Sequence, residues 1–152
     1  MIHYQSGAVR ALVHLHERHM CSFLETWKRA KAAELALPAT EDPDCMTLEA
    51  MLAHTLRASR GYMVWMCANL ALPDPEINPA PDLDTVEIEA DDYLEYLLER
   101  WRSPLVEMTE ARIVEEYTSN WGETFTVESM LEHAVMHPIR HAFQLETLLA
   151  RA

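Results

Sequence analysis

Apolar residues recur at intervals of three and four along most of the chain, which is the period of an amphipathic α-helix packed on one face. In the first such stretch, from Gly7 to about Leu37, they are Val9, Leu12, Val13, Met20, Phe23, Leu24, Trp27 and Ala30. Pro38 is predicted to close this helix, because proline cannot continue one. After a short acidic connection, Thr47 is predicted to cap a second helix that runs to about Leu70.

The segment after the second helix has a different character. Residues 73–81 contain four prolines among acidic residues. They are too rich in proline for a helix and too polar for a core, so they predict a long surface crossover. Asp91 or Asp92 is predicted to cap a third helix, which Pro104 should kink or break. After an irregular stretch, Thr126 is predicted to cap the last helix.

This pattern predicts an all-α protein, a four-helix bundle with a long crossover connection between helices 2 and 3. The chain has 152 residues, of which 49% are hydrophobic. That is enough for a single domain, residues 1–152, to bury its own core. Three glycines supply too few turns for a many-stranded sheet.

The net charge of the chain argues against two classes of binding partner. Twenty-five acidic and twelve basic residues give a formal net charge of -13, which repels phosphate backbones and anionic membrane surfaces. The most apolar stretch, Met63 to Leu72, is far shorter than the ~20 residues that span a bilayer. We therefore expect binding to neither nucleic acid nor membranes.

Two features indicate the compartment. The N-terminal residues lack the basic and then apolar order of a signal peptide. The cysteines, Cys21, Cys45 and Cys67, are odd in number and show no CxxC spacing, which favours reduced thiols. We expect a cytoplasmic protein.

Three of the eight histidines, His133, His137 and His141, lie on the last helix at steps of four. At roughly 100° per residue, such a stripe advances by about 40° at each step, so it drifts toward the apolar face. His141 falls inside that face, His137 at its border, and His133 furthest toward solvent. His137 and His141 are therefore the pair expected to act together.

Two imidazoles one helical turn apart can converge on one divalent ion, but a third ligand must come from elsewhere. His54 on helix 2 is the candidate, since Ala58 and Gly61 beside it leave room for an ion and a substrate. The alternative is that the pair is a solvated feature of the last helix. Pro138 should either kink that helix or restart it.

Other polar residues have two interpretations. Arg140 and Gln144 either support the ligands or form a polar helix edge. His16 lies at the centre of the apolar face of helix 1, where a core histidine bonded to a polar partner is favoured over a metal or substrate contact. No GxSxG, GxxxxGK[ST] or GxGxxG motif is present, so these nucleophile and phosphate-binding chemistries have no support.

These residues resemble the DinB-like superfamily, whose four-helix bundles bind a divalent metal through one histidine on helix 2 and a His-xxx-His pair on the last helix. The matching parts are residues 51–54, Met-Leu-Ala-His, and residues 131–144, which follow the pattern His-xxx-His-xxx-His-xx-Gln. The resemblance implies that His54, His137 and His141 are the metal ligands.

The chain departs from the family pattern at two places. Family members often have Arg-Gly where this chain has Ala142-Phe143, and an acidic residue where it has Pro138. Because neither position supplies a ligand, the departures affect the substrate assignment more than metal binding.

The resemblance also implies a function. Since imidazole suits several metals, the ion is expected to be zinc or nickel, with iron or manganese as alternatives. The family implies a homodimeric metal-dependent enzyme that uses a low-molecular-weight thiol, such as mycothiol or bacillithiol, for S-transfer or isomerisation of a small-molecule substrate. Two alternatives remain open, a hydrolase at the same centre and a non-catalytic, metal-stabilised stress or interaction protein. The coordination shell distinguishes an enzyme from a structural protein, because structural zinc sites normally close with four protein ligands.

Overall fold

A computed structural model describes all residues, 1–152. Four main helices pack together, and a small hairpin precedes the last of them. The elements in chain order are α1 (Gly7–Ala32), a 3₁₀ turn (Pro43–Cys45), α2 (Leu48–Asn69), α3 (Val86–Trp101), α4 (Glu110–Ile113), β1 (Glu116–Thr118), β2 (Thr124–Thr126) and α5 (Val127–Arg151). The predicted helical bundle with a long connection between its second and third helices is confirmed.

Polar caps fix where the long helices begin. The hydroxyl of Thr47 accepts a hydrogen bond from the backbone N–H of Ala50 at 3.0 Å, so the predicted start of α2 is confirmed. Thr126 and Ser129 form a reciprocal capping box at the start of α5, also as predicted. Such caps satisfy N–H groups that have no partner inside the helix.

The end of α1 differs from the prediction. The helix ends at Ala32, and not at about Leu37, because Glu34 takes a left-handed conformation (φ 51°) and the N–H of Leu35 bonds back to the carbonyl of Ala30 at 3.0 Å. Leu35 and Leu37 still pack against the core after the turn. The apolar pattern therefore continues for several residues beyond the helix.

Helix α3 begins earlier than the predicted cap at Asp91 or Asp92. The helix begins at Val86, and Asp91 and Asp92 lie on its exposed side and not at its cap. Val86 is fully buried, which ties the first turn to the core. At the other end the helix stops at Trp101, so the predicted break before Pro104 is confirmed.

The connection between α2 and α3 lies on the surface but is held in place. Ile77 is buried at its centre, and its carbonyl accepts a hydrogen bond from the Arg60 guanidinium at 2.7 Å. The hydroxyls of Tyr93 and Tyr96 on α3 donate to further carbonyls of the same segment, each at 2.8 Å. The predicted crossover is thus fixed against both helices that it joins.

The hairpin was not predicted. Its two short strands pair antiparallel, with Tyr117 opposite Phe125, and Gly122 (φ 89°) supplies the left-handed residue in the turn. The indole N–H of Trp65 on α2 donates to the carbonyl of Thr118 at 3.0 Å. This bond holds the hairpin against one end of α2.

Buried apolar side chains from all four main helices form one contiguous core. Helix α5 packs against both α1 and α2, and α2 also packs against α3. No helix combines the length and the apolar character that would be needed to cross a membrane. The face that α5 shares with α2 carries the candidate site.

Candidate metal centre

Three histidines from two helices meet between α2 and α5. His54 lies in the second turn of α2, and His137 and His141 lie in the middle of α5. One ring nitrogen from each lies within 4.8 Å of the others. The structure therefore brings together the three residues that the sequence singled out.

The burial along α5 follows the predicted drift of the histidine stripe. His137 and His141 are each only 4% exposed, whereas His133, one turn earlier, is half-buried. Helix α5 runs through Pro138 without a break, so the alternative in which the helix restarts there is wrong. The unbroken helix keeps His137 and His141 one turn apart on the same side.

His54 and His137 contact each other directly. Their Nε2 atoms lie 2.9 Å apart, so one of the two must donate a proton to the other. The Nδ1 of His54 lies 3.1 Å from a carboxylate oxygen of Asp44, whose negative charge favours a proton on that nitrogen. A neutral His54 then has a lone pair on Nε2, and His137 is the donor.

Asp44 holds His54 in this orientation. It lies in the 3₁₀ turn between α1 and α2, and its other oxygen accepts a hydrogen bond from Arg57 at 3.0 Å. A carboxylate on the far nitrogen of a histidine is the usual partner of a metal ligand, because it sets the tautomer and raises the basicity of the ring. Sequence reasoning missed Asp44, which was only one of several acids in a connection without periodicity.

His141 has one satisfied nitrogen and one that is not. Its Nδ1 lies 2.9 Å from the side-chain oxygen of Gln144. Gln144 therefore supports this ring, which was one of the two roles that the sequence allowed for it. The Nε2 of His141 is buried and has no hydrogen-bond partner. A buried polar atom without a partner is costly, and a bound cation would satisfy it.

The three rings are in the protonation state that a metal requires. Burial lowers the pKa of His54 and of His141, and it lowers the pKa of His137 to about 2, helped by the repulsion from the other two rings. All three are therefore neutral near pH 7 and carry a lone pair each. Metal binding needs neutral imidazole, so no proton has to be removed from the set.

The distances fit a single ion. Ligand nitrogens around a tetrahedral zinc stand about 3.4 Å apart. The observed separations, from 2.9 Å to at most 4.8 Å, bracket that value. No carboxylate or cysteine joins the set, so the protein supplies three nitrogen ligands.

A cavity of about 400 Å³ adjoins the cluster, and His54 and His137 form part of its wall. Ala58 and Gly61 also line it, so the predicted space beside His54 is confirmed. The rest of the wall comes from α2, α5 and the turn of the hairpin, namely Tyr62, Trp65, Asn120, Trp121, Met130, His133 and Arg140. The cluster can therefore be approached from one side by a small molecule.

The remaining histidines of interest do not join the cluster. His133 lies in the cavity wall, where its ring meets the aromatic rings of Tyr62, Trp121 and Phe125. His16 is fully buried in the core, 2.9 Å from the hydroxyl of Ser59 and stacked on Trp101. The interpretation of His16 as a core histidine with a polar partner is confirmed.

Known proteins give no direct guide to this site. No protein-family model, no curated protein and no solved structure matches the chain.

Proposed function

We propose that the chain binds one divalent metal ion through His54, His137 and His141 and acts as a metal-dependent enzyme on a small molecule. The observation that carries this proposal is the buried Nε2 of His141, which has no partner in the protein and lies in a cluster with two other neutral imidazoles. A divalent cation coordinates one nitrogen of each ring once the proton of His137 lies on its other nitrogen.

The donor set favours some metals over others. Three imidazoles without a carboxylate suit zinc and nickel, and also iron, whereas manganese prefers oxygen ligands. Zinc or nickel is therefore our first expectation for this site.

Two features favour catalysis over a structural role. Structural zinc sites are usually closed by four protein ligands, whereas catalytic sites keep a position open. Here the protein provides three ligands, and a cavity of about 400 Å³ lies beside them. A divalent ion in this place supplies Lewis acidity, which lowers the pKa of a thiol or of water.

The surrounding side chains have separate tasks in this mechanism. The charge of Asp44 favours a proton on Nδ1 of His54, and the hydrogen bond with Gln144 orients the ring of His141. Tyr62 and Trp65 contribute aromatic rings to the wall of the adjoining cavity. Burial raises the pKa of Tyr62 to about 12, so it remains a neutral phenol and a hydrogen-bond donor.

The resemblance of residues 51–54 and 131–144 to the DinB-like superfamily supports the choice of reaction. It favours S-transfer or isomerisation with a low-molecular-weight thiol, in a homodimer. Hydrolysis at the same centre would need no thiol, so a thiol-dependent assay over several electrophiles distinguishes the two reactions.

Metal content tests the site. Untagged protein is purified with and without His54→Ala or His141→Ala, and the metals are counted by elemental analysis. We expect close to one ion per wild-type chain and almost none in either variant. His14→Ala is the matched control, since His14 is exposed on α1, and it should keep the ion. Circular dichroism confirms folding, and unchanged metal content in both site variants refutes the assignment.

A further inference from the structure

The cavity beside the cluster has an unusual charge for this protein. Its wall contains one cationic side chain, Arg140, and no carboxylate, although the chain has 25 acidic residues. By contrast, the cavity between α1 and α3 is lined by Glu17, Glu25, Asp91 and Glu95. The wall of the cavity beside the histidines thus contains one positive and no negative side chain, although the molecule as a whole is strongly negative.

Arg140 is exposed, and no carboxylate of the protein pairs with its charge. The guanidinium takes part in none of the ion pairs of the structure and in no side-chain hydrogen bond, whereas Arg57 and Arg102 each pair with a carboxylate. Its field reaches the cavity wall, where the pKa of His133 is lowered by burial and then by the Arg140 charge. A guanidinium presents a planar fork that matches the two oxygens of a carboxylate.

Part of the wall is apolar and aromatic. Trp65, Trp121 and Met130 line it, together with the ring of Tyr62. Flat aromatic walls favour a planar apolar group in stacked or edge-on contact. The volume of about 400 Å³ lies in the range of small-molecule sites.

We propose that this cavity binds a small organic monocarboxylate with a planar apolar body. Its carboxylate pairs with Arg140, and its body lies against the tryptophan rings, next to the three histidines. Before any metal is bound, Arg140 is the one positive charge in the wall, and it balances the single negative charge of a monocarboxylate. This inference names the substrate class of the proposed enzyme. Binding of the carboxylate does not depend on the proposed function, but the reaction after binding does.

Binding is measured by quenching of tryptophan fluorescence, with phenylacetate and its neutral analogue phenylacetamide as probes. Each probe is titrated into the protein as purified and again after removal of metal with a chelator. We expect phenylacetate to bind about 10-fold more tightly than the amide in both preparations, as for a hydrogen bond to a charged group. Trp121→Phe should reduce the quenching, because Trp121 lies in the cavity wall.

Two arginine variants localise the effect. Arg140→Gln should bring the affinity for phenylacetate down to that for the amide. Arg151→Gln removes the same charge from an exposed position near the end of the same helix and should leave both affinities unchanged. Equal affinities for the two probes in the wild type, no quenching by either, or no effect of Arg140→Gln overturns the proposal.

The design separates this inference from the metal proposal. If the chain holds no metal but Arg140 still selects the carboxylate, the proposed function fails and the binding class stands. If metal is present but phenylacetate binds only while the metal remains, the carboxylate is held by the ion. That result overturns the role of Arg140 and leaves the metal centre intact.

Discussion

His16 gives a direct test of how burial controls the stability of this protein. The ring lies in the core between α1 and Trp101, its Nε2 is 2.9 Å from Ser59, and its Nδ1 has no partner. Protonation would place a positive charge in the core without a counterion. Burial accordingly lowers the pKa of His16 from 6.5 to about 3.

The sign and size of the effect follow from this difference in pKa. Between pH 6.5 and about 3, the unfolded chain carries a proton on His16 that the folded chain does not. Unfolding therefore takes up a proton, and the free energy of unfolding decreases as the pH falls. The slope is about 1.4 kcal/mol per pH unit, so His16 alone removes about 2.5 kcal/mol between pH 7 and pH 4.5.

The variant His16→Gln removes the titration and keeps a polar partner for Ser59. Urea unfolding of both proteins is followed at several pH values in the presence of a chelator, so that metal does not contribute. Since all other groups are shared, the wild type should lose about 2.5 kcal/mol more than the variant on acidification from pH 7 to pH 4.5.

Two further variants make the result decisive. His16→Phe retains an aromatic ring against Trp101 and should show the same weaker pH dependence even if His16→Gln is destabilised at every pH. His14→Gln changes an exposed histidine on the same helix and should follow the wild-type curve. Parallel curves for the wild type and both His16 variants would show that protonation of His16 does not oppose folding.

Two other predictions concern the site and its helix. Asp44→Asn should weaken metal affinity by about 10- to 100-fold, because the partner that orients His54 is changed, whereas Glu41→Gln in the same connection should not. Competition with a chromophoric chelator measures this, and equal affinities would remove Asp44 from the site. Thr126→Ala should lower the free energy of unfolding by about 1 kcal/mol, since the capping box with Ser129 is lost. Urea unfolding at pH 7 checks it, and an unchanged midpoint and slope would contradict that role.

The start of a helix could be predicted where a capping side chain determines it. The end of a helix could not be predicted where packing against the core determines it. Thr47 and Thr126 cap α2 and α5 through bonds to N–H groups three residues away, which the sequence shows directly. The end of α1 depends on Glu34 adopting a left-handed conformation, while Leu37 beyond it remains packed on the core. The spacing of apolar residues alone does not show that the residues before this turn are helical and the residues after it are not.

The same division holds for the candidate site. The spacing of His137 and His141 predicts their convergence, because residues four apart lie on one side of a helix. Asp44 and Trp121 come from a 3₁₀ turn and a hairpin turn, and only the folded chain brings them to α2 and α5. No pattern in the sequence links either residue to the histidines.

The hydrogen bond between His54 and His137 has a consequence for how an ion would enter. His137 holds its proton on Nε2, the nitrogen that faces His54 and that a cation would need. Since the charge of Asp44 favours the proton of His54 on the far nitrogen, His137 is the ring that would have to become the other tautomer. Loading at neutral pH would then relocate a proton within one imidazole and release none to the solvent.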